Sequence, residues 1–169
     1  MTIAHSLLPE FDQEMATTRT LLERVPEDRA SWKPHAKSKS LGELAAHVAN
    51  LPSMAPRTIF QTEVDMSPPG GPASSPPRFT STAALLATFD EHVRQARTAI
   101  AGAADHELQV PWSLKNGGHT IFTLPRAAVL RSMLLNHIIH HRGQLSVYLR
   151  LVDVPLPPIY GPTADTRMS

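Results

Sequence analysis

A four-helix bundle, all-α apart from one small β-hairpin, is the fold this sequence predicts, and three observations carry the expectation. Four long stretches repeat apolar residues at steps of three and four, the spacing of a buried helix face. The thirteen residues from Met66 to Arg78 are rich in Pro, Gly and Ser and separate the second stretch from the third. Asn116-Gly117-Gly118 stands between two short apolar runs, ahead of the fourth stretch.

The first helix is expected from Ile3 to about Arg24, with Leu7, Phe11, Met15, Thr18, Leu22 and Val25 on one side. Pro26 then opens a polar connection that holds Trp32 and Pro34. Ser40 followed three residues later by Glu43 has the form of a capping box, so the second helix starts there. That helix runs from Leu41 toward Glu63. Pro52 and Pro56 predict a bend or break between Asn50 and Pro56, because an interior proline removes a hydrogen bond. The Met66–Arg78 loop is longer than the usual link between adjacent antiparallel helices and suits a crossing between parallel ones. A third helix is expected over Thr82–Ala101, with Leu85, Leu86, Phe89, Val93, Ala96 and Ile100 inward. Leu108–Leu114 and His119–Phe122 flank the Asn-Gly pair, a strong hairpin signal. Thr123 is expected to cap the fourth helix, with Pro125 in its first turn and its end near Leu151.

Composition fits one domain over residues 1–169, long enough to bury a core. Hydrophobic residues make up 41% but aromatic ones only 5%, so the core must be aliphatic and alanine-rich. The net charge is +1 with no run of five like charges, which argues against a nucleic-acid surface. The absence of cysteine excludes disulfides, thiolate metal sites and a cysteine nucleophile. Met1–Ser6 lacks the basic start and apolar core of a signal peptide, and no stretch has the length of a membrane span. A cytoplasmic protein without a membrane partner is the expectation.

The most informative segment is Asn136-His137-Ile138-Ile139-His140-His141-Arg142-Gly143-Gln144-Leu145. At about 100° per residue, His141 lies roughly 40° from His137 and Gln144 about 20° to its other side. Leu130, Met133, Leu134, Leu145, Tyr148 and Leu151 share that arc, which places two imidazoles and an amide on the face expected to pack inward. Buried polar groups need partners. Either the histidines bond to carbonyls or water within the core, or the i, i+4 pair chelates a metal ion. His140, about 60° from His137, falls at the flank. The third ligand is best sought in His47, one turn from Leu44 and Leu51 on the inner face of the second helix. Glu43 lies one turn earlier, as the cap or as a group reaching the same cavity. Asn50 can bond His47 or face water.

Leu44-Ala45-Ala46-His47-Val48, the His137–Leu145 segment and Pro155-Leu156-Pro157-Pro158-Ile159-Tyr160-Gly161 together resemble the DinB family of damage-inducible-type helix-bundle proteins, as does Trp32-Lys33-Pro34. The resemblance spans nearly the whole chain. It implies an up-down-down-up helix order, a divalent ion on His47, His137 and His141, a tail at Tyr160-Gly161 folded over one end of the bundle, and a homodimer. It also implies a metal-dependent enzyme, since some relatives are transferases of a low-molecular-weight thiol. The family name refers to induction and implies no DNA contact.

Three imidazoles suit zinc or nickel, and also iron or copper, better than magnesium or calcium. Three protein ligands leave a position open, as in catalytic sites. A water there would be acidified, or a thiolate would bind. Ile138 follows His137, so no HExxH general base is present. Glu43, Gln144 and Tyr148 are the remaining catalytic candidates, with Gln144 the group best placed to orient a ligand. Arg142, Arg131 and Arg150 are expected to face outward or toward a partner helix. His92 borders the inner face of the third helix, His119 is an exposed strand residue, and His5, His35 and His106 have no assigned role. Two functions of different class follow: a hydrolase or thiol S-transferase acting on a small molecule, or a non-catalytic module in which the ion or histidine cluster only stabilises the bundle or a dimer.

Overall fold

In the computed structural model, described for residues 2–72, 75 and 77–166, three of the longer helices begin at a side-chain cap. Thr2 accepts from the His5 N–H at the start of α1 (Ile3–Leu22), and Ser81 accepts from the Ala84 N–H at the start of α4 (Thr82–Gly102). Ser40 and Glu43 form the reciprocal capping box that opens α2 (Leu41–Asn50). At Pro52 the chain tightens into a 3₁₀ turn (Leu51–Ser53), and α3 (Met54–Phe60) continues beyond it. The expected break therefore lies just after His47. Short helices α5 (Asp105–Leu108) and α6 (Arg126–Val129) flank the sheet, and a π-helical stretch (Leu130–Asn136) leads into α7 (His137–Leu151).

Packing joins α1 to α4, α4 to α2, α2 to α7 and α7 back to α1, so these four elements close a ring around one core. Phe11, Leu21, Leu44, Val48, Phe89, Ile100, Leu134, Ile138 and Leu145 fill it, each at most 2% exposed. A smaller cluster of Trp112, Leu114 and Val129 sits under the sheet.

The sheet has three strands rather than the two of a hairpin. β2 (Pro111–Asn116) pairs antiparallel with β3 (His119–Pro125), and β1 (Glu63–Asp65) adds to β2 in parallel. Three residues are too few to display strand alternation, which is why the sequence leaves β1 inside the tail of the second helix. Gly117 and Gly118 have φ of 61° and 80°, as a tight primed turn requires. Both amides donate to the Asp65 carboxylate, at 3.0 and 2.7 Å, tying the turn to β1.

Thr123 does not cap the fourth helix. It lies within β3, where its hydroxyl bonds Ser113 Oγ at 2.8 Å, and Pro125 is the residue before α6 rather than in its first turn. The expected single helix from Pro125 to Leu151 is also broken into three parts by the π-helical stretch.

Gly42, in the first turn of α2, donates to the Ala30 carbonyl at 2.8 Å. A Cβ there would lie 3.0 Å from Phe79 Cβ and 3.1 Å from the Ala30 carbonyl oxygen. The two loops thus close on α2 only because this residue has no side chain. Gly42→Ala is expected to cost about 1–3 kcal/mol through this overpacking, read as a lower denaturant midpoint at unchanged slope.

Candidate metal centre

His47 comes from the last turn of α2, and His137 and His141 from the first two turns of α7, the helix packed against it. One ring nitrogen from each lies within 4.8 Å of the other two. His47 Nε2 is 3.4 Å from His137 Nε2, and His137 Nε2 is 2.9 Å from His141 Nε2. A tetrahedral ion with arms of about 2.0–2.1 Å sets its donors roughly 3.4 Å apart, so the three atoms stand close to chelating positions. All three rings are half-buried, and no carboxylate or thiol shares the cluster among the described residues. The donor set is thus three imidazoles, which fit a borderline transition ion.

Tautomer and ring orientation are set from behind. Gln144 Oε1 can only accept, so it takes the His141 Nδ1–H at 2.7 Å and leaves Nε2 with its lone pair toward the cluster. Burial and the positive potential of His141, His137 and Lys39 push the His47 pKa down to about 4. Burial likewise lowers His137, partly offset by the Met133 backbone, and lowers His141, partly offset by Gln144. The rings are therefore held neutral and ready to ligate.

The remaining candidates divide. Glu43 carries out the capping role: its Oε2 accepts from the Ser40 N–H at 2.7 Å and stands 3.7 Å from Lys33 Nζ. The Ser40 bond and Lys33 hold its carboxyl below the usual range, which makes it a weak base. It nevertheless lines, with His47, a cleft of about 730 Å³. Tyr148 makes no hydrogen bond to the three rings among the described residues; its ring meets Trp32 edge-on at 5.7 Å. His140 is exposed, its ring 4.9 Å from that of His141. His92 reaches the Ala49 carbonyl at 3.2 Å and takes the flanking role. Asn50 makes no hydrogen bond to His47 among the described residues.

Of the two orientations expected for Arg142, outward or toward a partner helix, the structure shows the second. Arg142 is 1% exposed, and its guanidinium pairs with Glu14 of α1 at 2.6 Å and donates to the Glu14 carbonyl at 3.1 Å and Thr18 Oγ1 at 3.3 Å. Tyr160 completes the group: its hydroxyl accepts from Arg142 at 2.5 Å and donates to the Glu14 carboxylate at 2.9 Å. The Tyr160 ring is 65% exposed, so only its tip enters the interior. Along α7 the buried line is Ile138, Arg142, Leu145 and Leu149, whereas Leu151 is 57% exposed. The histidines accordingly sit at the edge of the core face, not at its centre. Arg150 pairs with Asp165 and Arg131 with Glu10, both near the surface.

Two outcomes follow. Arg142→Met leaves Glu14 buried without its partner and is expected to cost roughly 3–5 kcal/mol, while Arg142→Met combined with Glu14→Leu recovers much of it, as read by urea unfolding. In metal-free protein, an imidazole whose pKa is lower in the folded chain than the ordinary value near 6.5 penalises folding once the unfolded chain takes up the proton. Stability should thus fall as pH drops from about 6.5 toward 4, and His47→Gln should flatten that slope in thermal melts.

A sequence model of the DinB superfamily matches residues 10–145. Among solved structures, a DinB-like protein from Bacillus subtilis superposes with a TM-score of 0.68 at 20% identity, covering 92% of this chain and 98% of the other. A DinB-like protein from Bacillus cereus gives 0.66 at 20% identity, covering 90% and 95%. No curated protein matches the sequence. At this identity the structural neighbours speak for the fold alone, and it is the match over most of the length that settles descent: this chain belongs to the DinB superfamily.

Proposed function

We propose that the protein is a metal-dependent enzyme in which His47, His137 and His141 hold one divalent transition ion, zinc or nickel before iron or copper, and a small molecule completes its shell. The observation that carries this reading is the convergence of three neutral ring nitrogens beside an open cleft. Bound there, the ion supplies Lewis acidity that lowers the pKa of a coordinated water or thiol, which suits a hydrolase or a thiol S-transferase. The up-down-down-up order of the four ring elements belongs to the same reading.

The chain's own residues would do the rest. Gln144 fixes the His141 tautomer and keeps that ring turned toward the ion. Low pKa values keep protons from competing for the ring nitrogens near neutral pH. Glu43, already bound by Ser40 and Lys33, holds the start of α2 rather than taking a proton. The cleft against His47 favours this reading over a module with a closed, purely stabilising ion.

Mass spectrometry of tag-free protein should find about one transition ion per chain, with none in His47→Ala or His137→Ala of unchanged helical content. Gln144→Ala should weaken the ion's affinity by about 10- to 100-fold. Metal-loaded protein should turn over members of a panel of esters and thiol acceptors. Background rates throughout would remove the enzyme, and metal-free wild-type protein that takes up no added ion would remove the site.

A further inference from the structure

The cleft beside His47 is built from three separated pieces of chain: the loop before α2, the first two turns of α2, and the end of the loop before α4. Gly42 locks these pieces together, with Ala30 and Phe79 against its bare Cα. The first loop contributes Lys37 and Lys39, and the other contributes Arg78. Among the described residues none of the three has a carboxylate within 4.0 Å. The single acidic side chain in the wall, Glu43, is already held by the Ser40 amide and Lys33. A chain of net charge +1 thus gathers three unmatched cations around one concavity.

Elsewhere Arg19, Arg94, Arg97, Arg131 and Arg150 each sit in an ion pair, and exposed Arg24 and Arg57, which have none among the described residues, lie outside the cleft. Like charges in a concave wall repel one another and focus a positive potential into the space between them. A ligand of opposite charge relieves that repulsion. The cleft, at about 730 Å³, has the size of a small-molecule site. It also shares His47 with the ring-nitrogen cluster, and the Lys39 charge is felt at both His47 and His141.

We propose that this cleft selects a small substrate bearing a carboxylate or phosphoryl group, which Lys37, Lys39 and Arg78 hold while its reactive end reaches the position left open by the three histidines. The inference rests on the metal-centre reading for the reactive end. The anion-binding role of the three cations does not depend on it.

The test uses cobalt-substituted full-length protein and three thiols of similar size: 3-mercaptopropionate, 2-mercaptoethylphosphonate and the uncharged 3-mercaptopropionamide. Binding is read from the sulfur-to-cobalt absorption band. At low salt at least one charged thiol should bind about tenfold or more tightly than the amide, and the better of the two identifies the preferred head group. The advantage should shrink in high salt and nearly vanish in Lys37→Ser/Lys39→Ser/Arg78→Ser, whose cobalt ligand-field bands should match those of wild type. Equal affinity for all three thiols, or an advantage that survives in the triple variant, would overturn the proposal while leaving the metal centre standing. If cobalt gives no ligand-field bands, the metal reading fails, and the cleft is judged in metal-free protein by amide shifts of Ser38 and Gly42 on adding succinate or inorganic phosphate. Saturable shifts lost in the triple variant sustain the anion site, and their absence overturns it.

Discussion

Where His137 and His141 point is decided by how α7 is turned about its own axis, and that rotation is fixed by a charge in the interior. Arg142 sits at the middle of the buried line, so its guanidinium must be neutralised and fully hydrogen-bonded or the helix would turn to bring it to water. Glu14 supplies the charge, Thr18 and the Glu14 carbonyl take further donors, and the Tyr160 hydroxyl bridges the pair. With Arg142 directed at α1, His141 and His137, one and five residues before it, lie about 100° and 140° around the helix on the same side. That side faces α2, and His47 meets them there. A buried ion pair adds little net stability against a well-packed apolar pair. Its contribution here is directional, because an apolar core tolerates small rotations of a helix and this hydrogen-bonded group does not.

The same geometry governs the chemistry. Three imidazoles at the edge of a core are desolvated enough to shed their protons, yet near enough to the surface for a cleft to reach one of them. Full burial would close the site, and full exposure would leave the rings to titrate near 6.5 and compete with an ion. The break after Asn50 belongs to this arrangement too. It ends α2 one turn beyond His47, where the winding tightens into a 3₁₀ turn before α3.

Much of the fold and of the cluster can be read from the sequence because local rules dominate there. The Ser40/Glu43 box, the i, i+4 histidines, the prolines after Asn50 and the Asn-Gly turn each encode their structure within a few residues. Other features escape because they are settled by partners far along the chain. Nothing near Arg142 in sequence announces Glu14 or Tyr160, so an arginine beside an apolar stripe reads equally as facing solvent or a partner helix. The face of α7 is misplaced for the same reason: Leu151, placed inward, is exposed, and the buried line runs through a charge. β1 is too short to declare itself. Lys37, Lys39 and Arg78 come together only once Gly42 lets two loops close on α2.

The π-helical stretch from Leu130 to Asn136 lies immediately before the first of the paired histidines. A π turn is an α-helix carrying a surplus residue, and such turns are common beside functional sites. The wider winding takes up that residue, so Val129 and Leu130 keep their places under the sheet and in the core while the turns beyond keep the phase that aims His137 and His141 at His47. Losing one residue here would restore ordinary winding with the flanks near their present phase. A residue lost from an α-helical turn would instead swing one flank about 100° against the other, with a rise of only about 1.5 Å. The stretch is thus a slack link in a stiff rod, where a change of length is absorbed locally instead of being passed on to the paired rings.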